Sequence, residues 1–552
     1  MERNLSLTRR VALLLSAGQG LAALGGDAVA ADSTKIGAHQ EPGNCSTPRS
    51  AIANTQYGKV RGFLDGGVFT FKGVPYGQDT GGANRWLPAK PPIPWQDERH
   101  TLIYGPNCPQ TLHDFKAIET SFLFDWDDGY LGEDMLKLNI WTPALSGKRP
   151  VMVYFHGGGF SFGSAYELPS HEGAQMARHH GVVQVSVNHR LNVLGFLDVS
   201  EIGGPDYAES ANVGMTDLVA ALRWIKENIA NFGGDPDRVM IYGQSGGGSK
   251  VTCLMGMPSA QGLFHRAGVQ SGGGGNFADA EQSRALARQL MVELGLKPND
   301  IEALRQMEWS KLYAAGQTAI AKVNAGLPQG AFFPPSSVRR AGWAPTMDGR
   351  VVPSRPFYDA APELSKDIPL VIGSVSEEGY SYHSNPSETE WRASLTKTYG
   401  PDKANRLVDA MKAANPGKSI RTLSYGVAGL AQRNNVERMI RLKSQIGGAP
   451  AYQYWFTWQS PQLDGVAGAW HTSELAFCFD NTKRCEQGTG NTPEAQALAR
   501  TMATAWANFA ATGNPGIGWG PTDPTRMQTM VFDNHTRMAD DPQGAVRAII
   551  RA

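Results

Sequence analysis

The sequence predicts an α/β protein: a mostly parallel, doubly wound central sheet with helical insertions. Two observations lead there. Short apolar runs rich in Val, Ile, Tyr and Phe recur along the chain, and segments with helical periodicity lie between them. Strands that alternate with helices bury both faces of a parallel sheet, so their strands read as continuous apolar runs.

Residues 150–155 (PVMVYF) form the first such run. Residues 171–180 read as a helix, and residues 181–187 (GVVQVSV) as the next strand. Leu218, Ala221, Leu222, Ile225, Ile229 and Phe232 then recur at helical spacing, and Gly233-Gly234-Asp235-Pro236 stops that helix. Residues 238–242 (RVMIY), 369–373 (PLVIG) and 452–456 (YQYWF) are further strands. Residues 276–345 and 380–450 read as helical insertions with loops. With no Pro/Ser linker and no internal repeat, residues 31–552 are expected to be a single large domain.

Composition narrows the function. The chain has 552 residues, 41% apolar and 18% charged, which suits a sizeable core. Lys+Arg and Asp+Glu both number 51, so no basic excess supports nucleic-acid binding. No apolar run is long enough, at about 18 residues, to span a membrane. Residues 1–30 read as an export signal. Arg3, Arg9 and Arg10 precede the weakly apolar stretch 11–24, and Ala28-Val29-Ala30 is a small-x-small cleavage site. The Arg9-Arg10 pair also fits a twin-arginine signal, with an ordinary secretory peptide as the alternative. The mature chain is therefore expected in the periplasm or outside the cell.

Export permits disulfides. Of Cys45, Cys108, Cys253, Cys478 and Cys485, the pair Cys478 and Cys485 brackets a short turn-rich segment and is expected to bond. Cys253 lies in an apolar run and reads as core. The odd count leaves at least one free thiol. No Cys-x-x-Cys or His-Glu-x-x-His occurs, so no metal or redox centre is expected.

The chemistry concentrates at residues 243–247, Gly-Gln-Ser-Gly-Gly, directly after the strand at 238–242. A G-x-S-x-G in a strand-turn-helix context exposes one serine hydroxyl above the sheet edge, here Ser245. Residues 243–250 (GQSGGGSK) also approach a phosphate-binding loop, but Ser249 precedes Lys250, the reverse of the order that loop needs. A serine nucleophile requires a base, an orienting acid and donors for the oxyanion. The glycines of His156-Gly157-Gly158-Gly159-Phe160 follow a strand directly and could present such backbone donors.

These features, with others, make the chain resemble the type-B carboxylesterases, the cholinesterase-like branch of the α/β-hydrolases. The resemblance rests on residues 73–76 (GVPY), Arg85-Trp86, 133–141 (EDMLKLNIW), 156–160 (HGGGF), 188–190 (NHR), 212–236, 262–267 (GLFHRA), 270–272 (QSG) and 506–510 (WANFA). It implies an α/β-hydrolase fold and a cofactor-free esterase acting on a small-molecule ester. It assigns the acid to Glu378 in Ser376-Glu377-Glu378-Gly379, with Glu377 as the neighbouring rival. It picks His471, in residues 468–475 (GAWHTSEL), from twelve histidines. The implied oxyanion donors are the N–H groups of Gly158, Gly159 and Gly246. It further implies buried ion pairs Arg85–Glu133 and Arg190–Asp217. The family's usual cysteine in the 133–136 segment is Met135 here, so Cys108 is left to pair with Cys45 or stay free.

Two alternatives concern the ester and the activity. One is a specialised hydrolase of a bulky aryl, polyester or toxin ester, with Ser121–Trp126 and Tyr380–Tyr382 as possible aromatic pocket walls. The other is a non-catalytic cholinesterase-like binding protein, which relatives on this fold exemplify by losing triad residues.

Overall fold

A 12-stranded mixed sheet runs through the molecule. The computed structural model describes residues 44–45, 50–112, 118–274, 277–325, 340–380 and 385–552. The proposed export signal, residues 1–30, lies outside them, and residues 43–552 form one compact unit.

The strands of the sheet, in chain order, are β1 (Asn44–Cys45), β2 (Phe63–Asp65), β3 (Val68–Pro75), β4 (Lys137–Thr142), β5 (Arg149–Phe155), β6 (Val183–Val187), β7 (Gly234–Gln244), β8 (Arg266–Gln270), β9 (Leu370–Val375), β10 (Ala451–Phe456), β11 (Thr529–Phe532) and β12 (Arg537–Ala539). Their spatial order is β1-β2-β3-β4-β6-β5-β7-β8-β9-β10-β11-β12. From β6 to β11 every neighbour is parallel, and the flanks β1 to β4 and β12 pair antiparallel. The parallel centre is where the apolar runs sit: every residue of β6, β9 and β10 is buried.

Helices cover both faces. Helix α1 (Ala174–His180) begins later than its periodicity suggests, because Pro169–His171 forms a separate 3₁₀ turn ahead of it. Helix α2 (Val213–Asn228) ends through a 3₁₀ turn on Gly233, whose left-handed φ of 75° a side chain would resist. Helix α3 (Gly246–Met255) follows β7, and the insertions contribute α4 (Ala280–Glu293), α5 (Trp309–Val323), α6 (Glu388–Tyr399), α7 (Pro401–Ala414) and α8 (Ile420–Gln445).

Both expected ion pairs form. Arg85 Nε donates to Glu133 Oε2 at 2.8 Å. Arg190 meets Asp217 through two side-chain bonds of 2.6 and 2.8 Å, with both side chains fully buried. The expected disulfide does not form. Cys478 and Cys485 carry free thiols, as do Cys108 and Cys253. Cys478 points into the core, where Gln270 Nε2 lies 3.3 Å from its sulfur, whereas Cys485 starts a separate helical turn. The intervening Asn481 ties that segment to the carbonyls of Ser170 and Glu172 instead. Cys108 accepts the Leu191 N–H at 3.2 Å, and the side chain of Cys45 lies outside the described residues.

Candidate active site

Parallel strands end together, so the segments after β5, β7, β8 and β9 meet above one sheet edge. Gln244 closes β7 opposite Gln270 of β8, and Ser245 follows with φ 56° and ψ −120°. A serine held there costs about 1–3 kcal/mol of backbone strain. Its N–H donates to the Gln270 carbonyl at 2.7 Å, and its carbonyl accepts from Ser249 at 3.1 Å as α3 starts. Gly246 is required by contact: a Cβ there would come within 2.3–2.4 Å of the Gly159 backbone.

That contact brings the loop after β5 against the serine turn. Gly158 has φ 72° and its Cβ would strike the Phe162 carbonyl at 2.1 Å, so only glycine fits. The N–H groups of Gly158, Gly159 and Gly246 donate to no acceptor among the described residues, and all three glycines line one cavity with Ser245. Lys250 supports the loop from below. Its fully buried Nζ donates to the carbonyls of His156 at 2.9 Å and Gly157 at 3.3 Å. Burial lowers its pKa to about 7 against the opposing charge of Glu167, whose own carboxyl burial raises to about 8.

Glu378 and His471 meet across the ends of β9 and the segment after β10. His471 Nδ1 lies 2.5 Å from Glu378 Oε2, and Glu378 Oε1 accepts the Val375 N–H at 3.1 Å. Glu377 points the other way and is fully engaged. It binds Lys418 Nζ at 2.8 Å, the Ala469 N–H at 3.0 Å and the Ser376 hydroxyl, so it anchors the segment that carries His471. The other edge of the imidazole meets Gln244, whose Nε2 is 3.1 Å from His471 Nε2. Ser245, His471 and the glycine loop thus share one site, a cavity of about 990 Å³.

Burial alone would push the His471 pKa down, but the charge and hydrogen bond of Glu378, with a smaller push from Glu474, outweigh it, so the pKa stands above 6.5. Glu474 itself is raised to about 8, by burial first and then by the charge of Glu378. An imidazole accepts a proton only when neutral, so any reaction in which His471 serves as the base should slow as pH drops through its raised midpoint. A pH–rate profile from about pH 5 to 9 checks this.

Sequence reasoning did not single out Gln244, Lys250 or Glu474 for a role in the site. Each sits inside a motif already singled out, but its role depends on burial and on partners remote in sequence. Of the suggested aromatic walls, Phe124 and Trp126 line the cavity, stacked at 4.8 Å. Tyr380 does not; it packs edge-on against Tyr425, and residues 381–382 lie outside the described residues. Among the described residues no group of three His, Cys, Asp or Glu could hold a metal, and no helix is long and apolar enough to cross a membrane.

With this geometry in hand, comparisons with known proteins are specific. The carboxylesterase family profile matches residues 49–548. The chain is 30% identical over 507 residues to a para-nitrobenzyl esterase of Bacillus subtilis (strain 168), covering 90% of this chain and 97% of that one. It is 34% identical over 514 residues to a phenmedipham hydrolase of Pseudarthrobacter oxydans, covering 89% and 94%. Among solved structures, an esterase from Clostridium hathewayi that can hydrolyse aliphatic aromatic polyesters superposes with a TM-score of 0.80 at 32% identity, covering 92% of this chain and 99% of that one.

Proposed function

Given that the chain belongs to the carboxylesterase family and is a carboxylic ester hydrolase, we propose that it works by two-step acyl transfer through a Ser245–His471–Glu378 triad. His471 Nε2 takes the Ser245 proton as the oxygen attacks the ester carbonyl. Glu378 holds the proton on Nδ1 and stabilises the imidazolium. The N–H groups of Gly158, Gly159 and Gly246 receive the oxyanion, and the α3 N-terminus adds a favourable dipole. His471 returns the proton to the departing alcohol. It then activates a water that releases the acid and frees Ser245. The Gln244 amide and the serine hydroxyl compete for the same imidazole nitrogen, so Gln244 yields when substrate binds.

The observation that carries this reading is the convergence of the His471–Glu378 bond with the strained Ser245 turn and three unfilled backbone donors. The cavity volume and its aromatic walls favour a bulky aryl-containing ester over a short aliphatic one. Two of the similar proteins, the para-nitrobenzyl esterase and the esterase that can hydrolyse aliphatic aromatic polyesters, have names that agree with that preference. Export to the periplasm or beyond belongs to the same proposal and rests on the pattern of residues 1–30.

Incubation with an aryl fluorophosphonate tests the assignment. Peptide mass spectrometry should find one phosphonyl adduct, on Ser245, in step with loss of p-nitrophenyl ester hydrolysis. An adduct at another residue would overturn it.

A further inference from the structure

The cavity that holds Ser245 also exposes a cation that forms no ion pair among the described residues. Arg438, on α8, lines it beside Tyr358 and Asn435. Its Nη1 donates to the Tyr358 carbonyl at 2.9 Å and its Nη2 to Asn435 Oδ1 at 2.8 Å. Both partners are neutral. The carboxylate of Asp359, which acts on Arg438 through space, is held bidentately by Arg355 at 2.8 and 3.0 Å. A guanidinium has five N–H donors in a planar fork, so the two bonds orient the group and leave donors for a ligand.

The backbone keeps that guanidinium uncovered. Gly274 has φ 56°, and a Cβ there would lie 2.9 Å from Arg438 Nη2. Two residues earlier, a Cβ on Gly272 would lie 2.1 Å from the Ser245 carbonyl. One short loop therefore touches the nucleophile turn at one end and the guanidinium at the other. At the reach of an extended chain, the two are no more than about 15 Å apart. The Asn435 amide reinforces the arrangement by donating to the Gly273 carbonyl at 3.2 Å.

We propose that Arg438 binds a free carboxylate on the substrate, so that the preferred esters include half-esters of dicarboxylic acids whose second, ionised carboxyl lies remote from the scissile bond. This rests on the esterase reading above and adds the substrate class. A planar guanidinium with a fixed orientation matches a carboxylate by two parallel charge-assisted hydrogen bonds, and apolar residues such as Trp343 and Ala344 line the same cavity. Hydrolysis itself is unchanged: the acyl–oxygen bond breaks, water supplies the hydroxyl, and the remote carboxylate only fixes the pose.

The test uses the full-length protein and matched pairs of benzyl esters: monobenzyl adipate, suberate and sebacate against benzyl hexanoate, octanoate and decanoate. Release of benzyl alcohol gives kcat/KM. Arg438→Gln should lower the charged-to-neutral ratio of kcat/KM about 10- to 100-fold for at least one chain length, mainly through KM, and Arg438→Lys should recover part of it. An unaltered ratio in Arg438→Gln would overturn the proposal. Binding of monobenzyl suberate to Ser245→Ala, measured by calorimetry with and without Arg438→Gln, reads the anchor without turnover. If the wild type cleaved neither ester of any pair, yet this binding still depended on Arg438, the esterase reading would fail and the carboxylate site would stand. Binding that is insensitive to Arg438 would remove the site whatever the activity.

Discussion

Ser245→Ala should lower kcat/KM on a p-nitrophenyl ester by about ten-thousand-fold or more, and Glu378→Gln by about a thousand- to ten-thousand-fold, because the members of such a triad act as a unit. The amide at 378 can still bond the imidazole, but it can present its N–H to Nδ1 and favour the wrong tautomer. The base nitrogen would then carry the proton. The informative partner is Glu377→Gln. That carboxylate faces Lys418 and the Ala469 N–H, away from the imidazole. Its loss should weaken the anchoring of residues 468–471 and lower kcat by less than about tenfold, with a measurable drop in melting temperature. Steady-state kinetics and thermal melts on the three variants separate chemistry from positioning. Equal losses in Glu377→Gln and Glu378→Gln would refute the assignment of the acid.

The adjacency of those two glutamates shows what the sequence could and could not resolve. Successive residues leaving a strand point to opposite sides. Which of the two meets the His471 imidazole was therefore fixed by geometry, whereas the spacing of both from the strand was visible in the letters. Ser245 and the glycine loop were legible because a tight turn demands residues without bulk at fixed offsets, as the Gly246–Gly159 contact shows. The parallel strands β6, β9 and β10 were legible as short runs rich in Val, Ile, Tyr and Phe, although β6 alternates Val with Gln184 and Ser186, which are buried as well. The antiparallel flank β1 to β4 was not anticipated. Its first two strands are very short and the third mixes buried with half-buried residues, so no clean period survives. The bond expected between Cys478 and Cys485 followed from closeness in sequence alone, and the direction of each side chain decided otherwise. Lys250 looked like a misplaced phosphate ligand. Its partners are carbonyls some ninety positions earlier, which no local pattern reveals.

Asp217→Ala is the substitution expected to cost most stability, about 3–5 kcal/mol, because it strands the Arg190 charge in the interior. Arg190 is 1% exposed at its side chain and Asp217 0%, so water cannot replace the lost partner. What remains for the guanidinium is the Leu87 carbonyl at 2.8 Å. Denaturant unfolding followed by tryptophan fluorescence measures the loss. The double variant Arg190→Met/Asp217→Leu should be more stable than Asp217→Ala, since removing both charges leaves nothing unpaired. The Arg85–Glu133 pair is more exposed, at 8% and 15%, so Glu133→Ala should cost less. The effect also reaches the site. His189 stacks on His156 at 5.1 Å, and Asn192 donates its N–H to the Phe160 carbonyl at 2.8 Å. The segment that Asp217 pins through Arg190 is thus packed against both ends of the 156–160 glycine loop. If Asp217→Ala lost its stability without any fall in kcat, the loop would owe its geometry to Lys250 and its own glycines rather than to that segment.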